Sequence, residues 1–326
     1  MPFRQCLPDC LPVNQPSTAA AGHSLSDAAD PKVRLAGIGL MCAALFFFAV
    51  LDATAKWLTD SISAAEIVWV RYTGQFVLTC FVVNPWTMPG VWRTSRPWLH
   101  IVRSLFLFGI TFANFVALRY LQLDQTISIT FSMPFFVALL AGPILGEWIG
   151  LRRWIATMVG FAGILVIVQP SAAGVHPAML ASLAAALCYA LYNITTRLLA
   201  ATESTATLMF YSSAIGTLLS TLPLPWFWTA PTEASVIINM ALTGLYGGAG
   251  HLLLVLAHRR APAAVLAPFL YMQIIWMVLF GWLLFAQVPS HWTLIGAAIV
   301  VASGLYLINR ERTLHADKAI EATVTE

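Results

Sequence analysis

The sequence is poor in charged residues, which make up 10% of its 326 positions, whereas soluble domains average about 25%. Hydrophobic residues account for 59% instead. The formal net charge of +3 is small, and no basic stripe stands apart from the apolar segments. This balance excludes an ordinary soluble domain, gives no sign of nucleic-acid binding and predicts a membrane protein.

Several catalytic and cofactor signatures are also absent. None of the five cysteines forms a Cys-x-x-Cys motif, and no histidine pair lies near one at zinc spacing. The sequence contains neither a phosphate-binding glycine loop nor an H-E-x-x-H motif, and we find no Ser/His/Asp set. We therefore expect no cofactor, no metal and no enzymatic activity. The alternative class, an intramembrane enzyme acting on lipid, would need clustered acids or a metal set at one interface.

From Leu35 onward, apolar stretches alternate with short polar breaks rich in Pro and Gly. Each stretch has about 17–25 residues, the length that crosses a bilayer core as a helix. The predicted fold is an all-α integral membrane protein with about ten transmembrane helices. Their predicted spans are 35–58, 64–83, 98–118, 124–146, 153–169, 177–199, 205–222, 234–257, 261–285 and 291–308.

The ends of the chain and the basic residues predict how it sits in the membrane. Residues 1–34 lack the basic start and apolar stretch of a signal peptide, so we expect a disordered tail there and a second tail at 309–326. With the N-terminus in the cytoplasm, most Lys and Arg fall in inner segments, and the outer side keeps only Lys56 and Arg119. We predict a multi-pass protein of the cell inner membrane with both termini cytoplasmic.

Two parts of the chain match each other at a nearly constant offset in residue number. When "LDATAKWL" (51–58) is aligned with "YNITTRLL" (192–199), Asp52 falls on Asn193 and Lys56 on Arg197. At almost the same offset, Glu147 falls on Gln287. Because about five helices separate the copies, the second must enter the membrane from the opposite side. The sequence thus predicts two inverted five-helix repeats, residues 35–170 and 177–308, an arrangement common in secondary transporters.

The same stretches resemble the ten-helix drug/metabolite transporter superfamily, specifically its EamA-type members. The resemblance covers roughly residues 35–312 and is carried by "VLDATAKWL", "AEIVWVRYTGQF", the run from "LHIVRSLFLFG" to "GEWIGLRRW", and the run from "APFLYMQIIW" to "LYLINRE". One departure is Gln287, where the family often has an acid. The resemblance implies a metabolite carrier working by alternating access, and the pattern is most similar to the riboflavin and S-adenosylmethionine branch.

Riboflavin uptake is the expected function from that resemblance. The alternatives are export of amino acids or related metabolites and transport of S-adenosylmethionine. The expected partners are a small-molecule substrate and the lipid bilayer, with a homodimer as an open alternative.

Charged residues inside the apolar stretches are candidates for pairing or function, since a charge at a helix centre costs about 2.5–3.5 kcal/mol on insertion scales. Asp52 and Lys56 are spaced i, i+4, which predicts a helical ion pair at the outer end of the first helix. That pair would be an outer-gate element or a proton-linked carboxylate, or else an interfacial pair with Lys56 reaching outward. Arg71, about 10 Å deep by helical rise, is expected to face the bundle, either in a structural ion pair with Glu66 or Asp52 or as a contact for an anion or the substrate.

Neutral polar and aromatic side chains form a second group of candidates. They would stack on a flat heteroaromatic ligand such as an isoalloxazine ring and hydrogen-bond its edge. His251 is expected either to titrate near neutrality or to be a hydrogen-bonded packing residue. The full set of predicted substrate-binding or gating residues is Asp52, Lys56, Arg71, Asn114, Gln125, Ser128, Tyr189, Asn193, Arg197, His251, Tyr271, Gln273 and Trp276, with Tyr192 beside Tyr189.

Overall fold

The computed structural model describes residues 31–83, 90–146, 150–169, 176–200, 202–261 and 263–324, and no strand occurs among them. The helices are α1 (Pro31–Leu58), α2 (Ala64–Val82), α3 (Pro97–Leu118), α4 (Leu123–Thr130), α5 (Met133–Leu145), α6 (Leu151–Val168), α7 (Pro177–Ala200), α8 (Thr205–Thr221), α9 (Leu224–Phe227), α10 (Ala234–Arg260), α11 (Ala263–Leu266), α12 (Met272–Phe285) and α13 (His291–Val324), with a 3₁₀ helix at Ala267–Tyr271. The predicted all-helical fold is confirmed. Most of the predicted tail 1–34, and Glu147, lie outside the described residues.

Two predicted spans are interrupted, and the sequence prediction of continuous helices there was wrong. The span 124–146 breaks between α4 and α5, where Pro134 has no N–H to donate to Thr130. The span 261–285 passes through α11 and the 3₁₀ helix before α12 begins. The two irregular stretches lie at corresponding places in the two halves. Discontinuous helices of this kind line the substrate sites of many transporters.

The chain ends also differ from the prediction. Residues 31–34 are part of α1 rather than of a disordered tail, and α13 continues well past residue 308 to Val324. Within the described ranges, five segments are long and apolar enough to cross a membrane: α1, α3, Leu123–Leu140, α7 and α10. Shorter apolar helices occur at Trp154–Val168, Phe269–Phe285 and His291–Tyr306.

Local backbone features recur between the halves at the spacing seen in the sequence. Ser63 caps the start of α2 by accepting a hydrogen bond from the Glu66 N–H, and Ser204 caps the start of α8 by accepting one from the Thr207 N–H. Gly146 follows α5 with φ of +73°, and Ala286 follows α12 with φ of +52°. Each pair is separated by the offset that aligns the two halves of the sequence. The two halves therefore begin and end equivalent helices in the same way.

The helices of one half pack mainly on those of the other. The most extensive contacts join α1 to α10, α3 to α7 and α6 to α13. The helices α1 and α10 correspond to α7 and α3 of the other half, and both pairs are in contact. In the same way α2 and α10 correspond to α8 and α3, and these two pairs are also in contact. Reciprocal contacts of this kind are what a two-fold relation produces.

Candidate functional site

A cavity of about 260 Å³ lies between α2, α3, α7, α8 and α10. Its lining includes Arg103, His251, His258 and Arg259, and the lining residues that the structure describes include no Asp or Glu. Arg103 lies near the start of α3, whereas His258 and Arg259 lie in the last turn of α10. The cavity therefore lies toward one end of the bundle. The site is therefore basic and partly apolar.

Arg103 forms the polar wall of this cavity. It is 4% exposed, and its Nε donates to Thr196 Oγ1 at 2.7 Å while its Nη1 donates to Ser212 Oγ at 2.5 Å. Its Nη2 donates to Tyr192 Oη at 2.7 Å, with the guanidinium 4.5 Å from the centroid of that ring. Arg103 thus links α3 to α7 and α8. Because every acceptor is neutral, these hydrogen bonds do not compensate the positive charge of the guanidinium. Sequence reasoning did not select Arg103, although an arginine on the seventh position of an apolar helix is a usable signal.

Arg71 does not form the acidic ion pair that we expected. Its Nη2 lies 3.3 Å from His251 Nε2, and no carboxylate comes within 4.0 Å of it in the described part of the chain. A guanidinium can only donate, so His251 Nε2 is the acceptor and the imidazole is the neutral tautomer with its proton on Nδ1. The expected partner Glu66 instead accepts from the Ser63 N–H at 2.8 Å and the Thr229 N–H at 2.6 Å.

The predicted ion pair between Asp52 and Lys56 is also wrong. Asp52 Oδ1 accepts from Asn114 Nδ2 at 3.0 Å, which joins α1 to α3. Lys56 Nζ donates to the carbonyls of Leu118 at 2.8 Å and Leu121 at 2.6 Å. Carbonyls at a helix C-terminus lack helical partners and carry partial negative charge, so they compete with a carboxylate for the ammonium. Lys56 therefore turns onto α3 instead of reaching outward.

These contacts form a junction between helices far from the cavity. Arg103 is the seventh residue of α3 and Leu118 is its last, so about 22 Å of helix separates the cavity wall from the Lys56 junction. Lys56 Nζ also lies 5.6 Å from the centroid of the Phe285 ring at the end of α12. Asp124, which sequence reasoning did not select, is 3% exposed nearby and acts electrostatically on Lys56. The Lys56 junction thus joins α1, α3 and α12 at the end opposite the cavity.

Neither of the two cavities lined by described residues holds the predicted ring-stacking residues together. On α7, Asn193 donates to the Tyr189 carbonyl at 2.8 Å, and both Asn193 and Arg197 are exposed. Of the predicted set, His251 lines the cavity together with Tyr192.

The remaining candidates are distributed over α4, the 3₁₀ helix and α12. Gln125 accepts from the Gln122 N–H at 3.3 Å and so caps α4, whereas Ser128 is fully buried with no hydrogen-bond partner among the described residues. Tyr271 packs on Phe131, with ring centroids 5.2 Å apart. Trp276 packs on Phe46 at 5.1 Å, and Gln273 is half-buried. Their substrate role stays a prediction.

Comparison with known proteins gives matches over most of the chain. The profile of the EamA-like transporter family matches residues 35–169 and 176–310. The chain is 30% identical over 281 residues to an S-adenosylmethionine uptake transporter of Rickettsia bellii, covering 85% of this chain and 94% of the relative. It is 28% identical over 293 residues to a riboflavin transporter of Rhizobium johnstonii, covering 89% and 96%. A solved crystal structure covers 85% of this chain and 98% of its own at a TM-score of 0.61 and 18% identity, which supports the fold alone.

Proposed function

Because the chain belongs to the EamA-like transporter family and is a multi-pass membrane protein, we propose that it carries a small organic metabolite across the cell inner membrane by alternating access. The carrying observation is the pairing of a basic cavity at one end of α3 with the Lys56 junction at the other, which we take as the closed end. A carrier that alternates must close one end while the other is accessible. In this conformation the substrate would enter or leave on the cavity side.

We propose that the two halves are inverted repeats of five membrane spans each, residues 35–170 and 177–308. The equivalent helix caps at Ser63 and Ser204 and the reciprocal packing of the halves support this arrangement. The two family matches start at residues 35 and 176, which are separated by the same offset as these caps. With both termini cytoplasmic, the cavity faces the cytoplasm and the Lys56 junction faces outward.

Cysteine labelling of two equivalent positions tests the inversion. Ser95 and Ser235 are both exposed, and they precede or begin equivalent helices, α3 and α10. In a background without native cysteines, we expect a membrane-impermeant maleimide to label Ser235→Cys in intact cells, and Ser95→Cys only after the cells are opened. Labelling of both positions from the same side would rule out the inverted arrangement.

Riboflavin and S-adenosylmethionine are the two substrates that the named relatives suggest. We expect purified protein in liposomes to take up radiolabelled substrate faster than empty vesicles do, with uptake that saturates as its concentration rises. Comparing uptake with and without a pH gradient shows whether protons are coupled. If neither compound enters faster than in empty vesicles, both substrates are excluded, and preloaded vesicles would then be tested for amino-acid export.

A further inference from the structure

Arg71 is a buried cation without a compensating anion in contact with it. It is 5% exposed, and its Nε and Nη1 have no hydrogen-bond partner in the described part of the chain. Its third nitrogen, Nη2, lies 3.3 Å from the neutral His251 ring, and the guanidinium lies 4.8 Å from the centroid of the Tyr72 ring. Leaving buried donors and a buried charge without partners is strongly unfavourable. Such a residue inside a membrane bundle is expected to have a functional partner that arrives from outside the protein.

Arg71 and Arg103 both lie close to His251, a residue of the cavity wall. His251 lines the cavity, contacts Arg71, and lies within the electrostatic influence of both arginines. Gln75, one helical turn after Arg71 on α2, also lines the cavity. We call Arg71, His251 and Arg103 the arginine cluster: Arg103 and His251 line the cavity, and Arg71 lies in contact with His251 behind that wall.

No acidic residue of the described chain neutralises this cluster by direct contact. Asp52 is close enough to Arg71 to interact with it electrostatically, yet it accepts its hydrogen bond from Asn114. Arg103 donates only to hydroxyl and carbonyl groups. The neutral acceptors hold Arg103 in place, while two buried donors of Arg71 have no hydrogen-bond partner in the described part of the chain.

We propose that the arginine cluster binds a carboxylate group on the transported metabolite, which displaces His251 from Arg71 and pairs with the Arg71 guanidinium. This inference rests on the proposed carrier function and narrows its substrate class. A carboxylate presents two oxygens in a plane, which match the fork of a guanidinium. S-adenosylmethionine carries such a group, whereas riboflavin has none. The structure thus favours amino-acid-type metabolites over uncharged ones.

The test compares S-adenosylmethionine with its decarboxylated analogue, which lacks only the carboxylate. We expect purified wild-type protein to bind S-adenosylmethionine about tenfold or more tightly than the analogue, because hydrogen bonds to charged groups are among the strong ones. In Arg71→Gln this preference should fall to about one. Arg71→Lys keeps the charge without the fork and should retain part of the preference. Binding is measured by equilibrium dialysis with radiolabelled ligands.

Arg119→Gln is the matched control, since Arg119 is exposed at the end of α3 and should not affect the preference. Size-exclusion profiles show whether each variant is folded. Equal binding of both compounds by the wild type, or binding of neither, overturns the carboxylate site. Uptake of riboflavin in the same preparation would then leave the carrier function standing, whereas absence of any uptake would count against that function as well.

Discussion

Replacing Gly244 with leucine should prevent the folded protein from accumulating. A Cβ atom at Gly244 would lie 2.7 Å from the Gly74 Cα and 3.1 Å from the Val70 carbonyl oxygen. Both obstacles are backbone atoms of α2, so no side chain can rotate away. Small residues allow such close approach of membrane helices, and overpacking typically costs about 1–3 kcal/mol, or more where backbones must separate. We expect loss of the monodisperse size-exclusion peak in detergent.

Gly39→Leu is the control for this prediction, because a Cβ at Gly39 would meet nothing within 4 Å. Both substitutions remove a helical glycine and so gain a similar intrinsic helix propensity, about 1 kcal/mol. The difference between the two variants therefore reports packing alone. If Gly244→Leu gives the same peak and the same thermal unfolding midpoint as Gly39→Leu, the α2–α10 contact is not essential.

The helices were predictable because hydropathy is a local property of the sequence. The predicted span 98–118 matches Pro97–Leu118, and 177–199 matches Pro177–Ala200. Gly244 in α10 lies directly against Gly74 in α2, where small residues let the two helices approach closely. Local patterns did not reveal the end of α13, because hydropathy marks where a helix leaves the membrane and not where its hydrogen bonding stops. The helix breaks near residues 131 and 267 lie inside continuous apolar stretches, where Pro134 and Pro268 were local signals that the prediction did not use.

The contact partners predicted for the charged residues Lys56 and Arg71 were wrong. Spacing along one helix favoured Asp52 as the partner of Lys56, whereas the ammonium binds carbonyls 62 and 65 residues away. The partner of Arg71, His251, lies 180 residues away in the other half. A single sequence carries no information about which helices face each other, so contacts between halves could not be deduced. The constant offset between the halves was the exception, because it is a pattern within the sequence itself.

Replacing Lys56 with glutamine should open the outer end of the carrier and slow transport. Lys56 Nζ makes two hydrogen bonds, one to the carbonyl of Leu118 at the end of α3 and one to that of Leu121 just after it, and charged donors contribute about 1.5–3 kcal/mol each. A shorter neutral amide cannot reproduce them, and about 1.4 kcal/mol already shifts a two-state equilibrium tenfold. Ser128 in α4 is fully buried and gives a reporter position. We expect Ser128→Cys to resist an impermeant maleimide in otherwise wild-type cells and to react when Lys56→Gln is added.

The conservative variant and a neighbouring charge separate gating from simple destabilisation. Lys56→Arg keeps a positive donor near the two carbonyls and should leave Ser128→Cys protected. Arg119→Gln removes an exposed charge beside the same junction and should change neither labelling nor uptake. If Lys56→Gln remains monodisperse, leaves Ser128→Cys unlabelled and transports at the wild-type rate, Lys56 only caps α3. Increased labelling with reduced uptake would instead show that Lys56 helps to close the outer end, so that substrate enters or leaves on the cavity side.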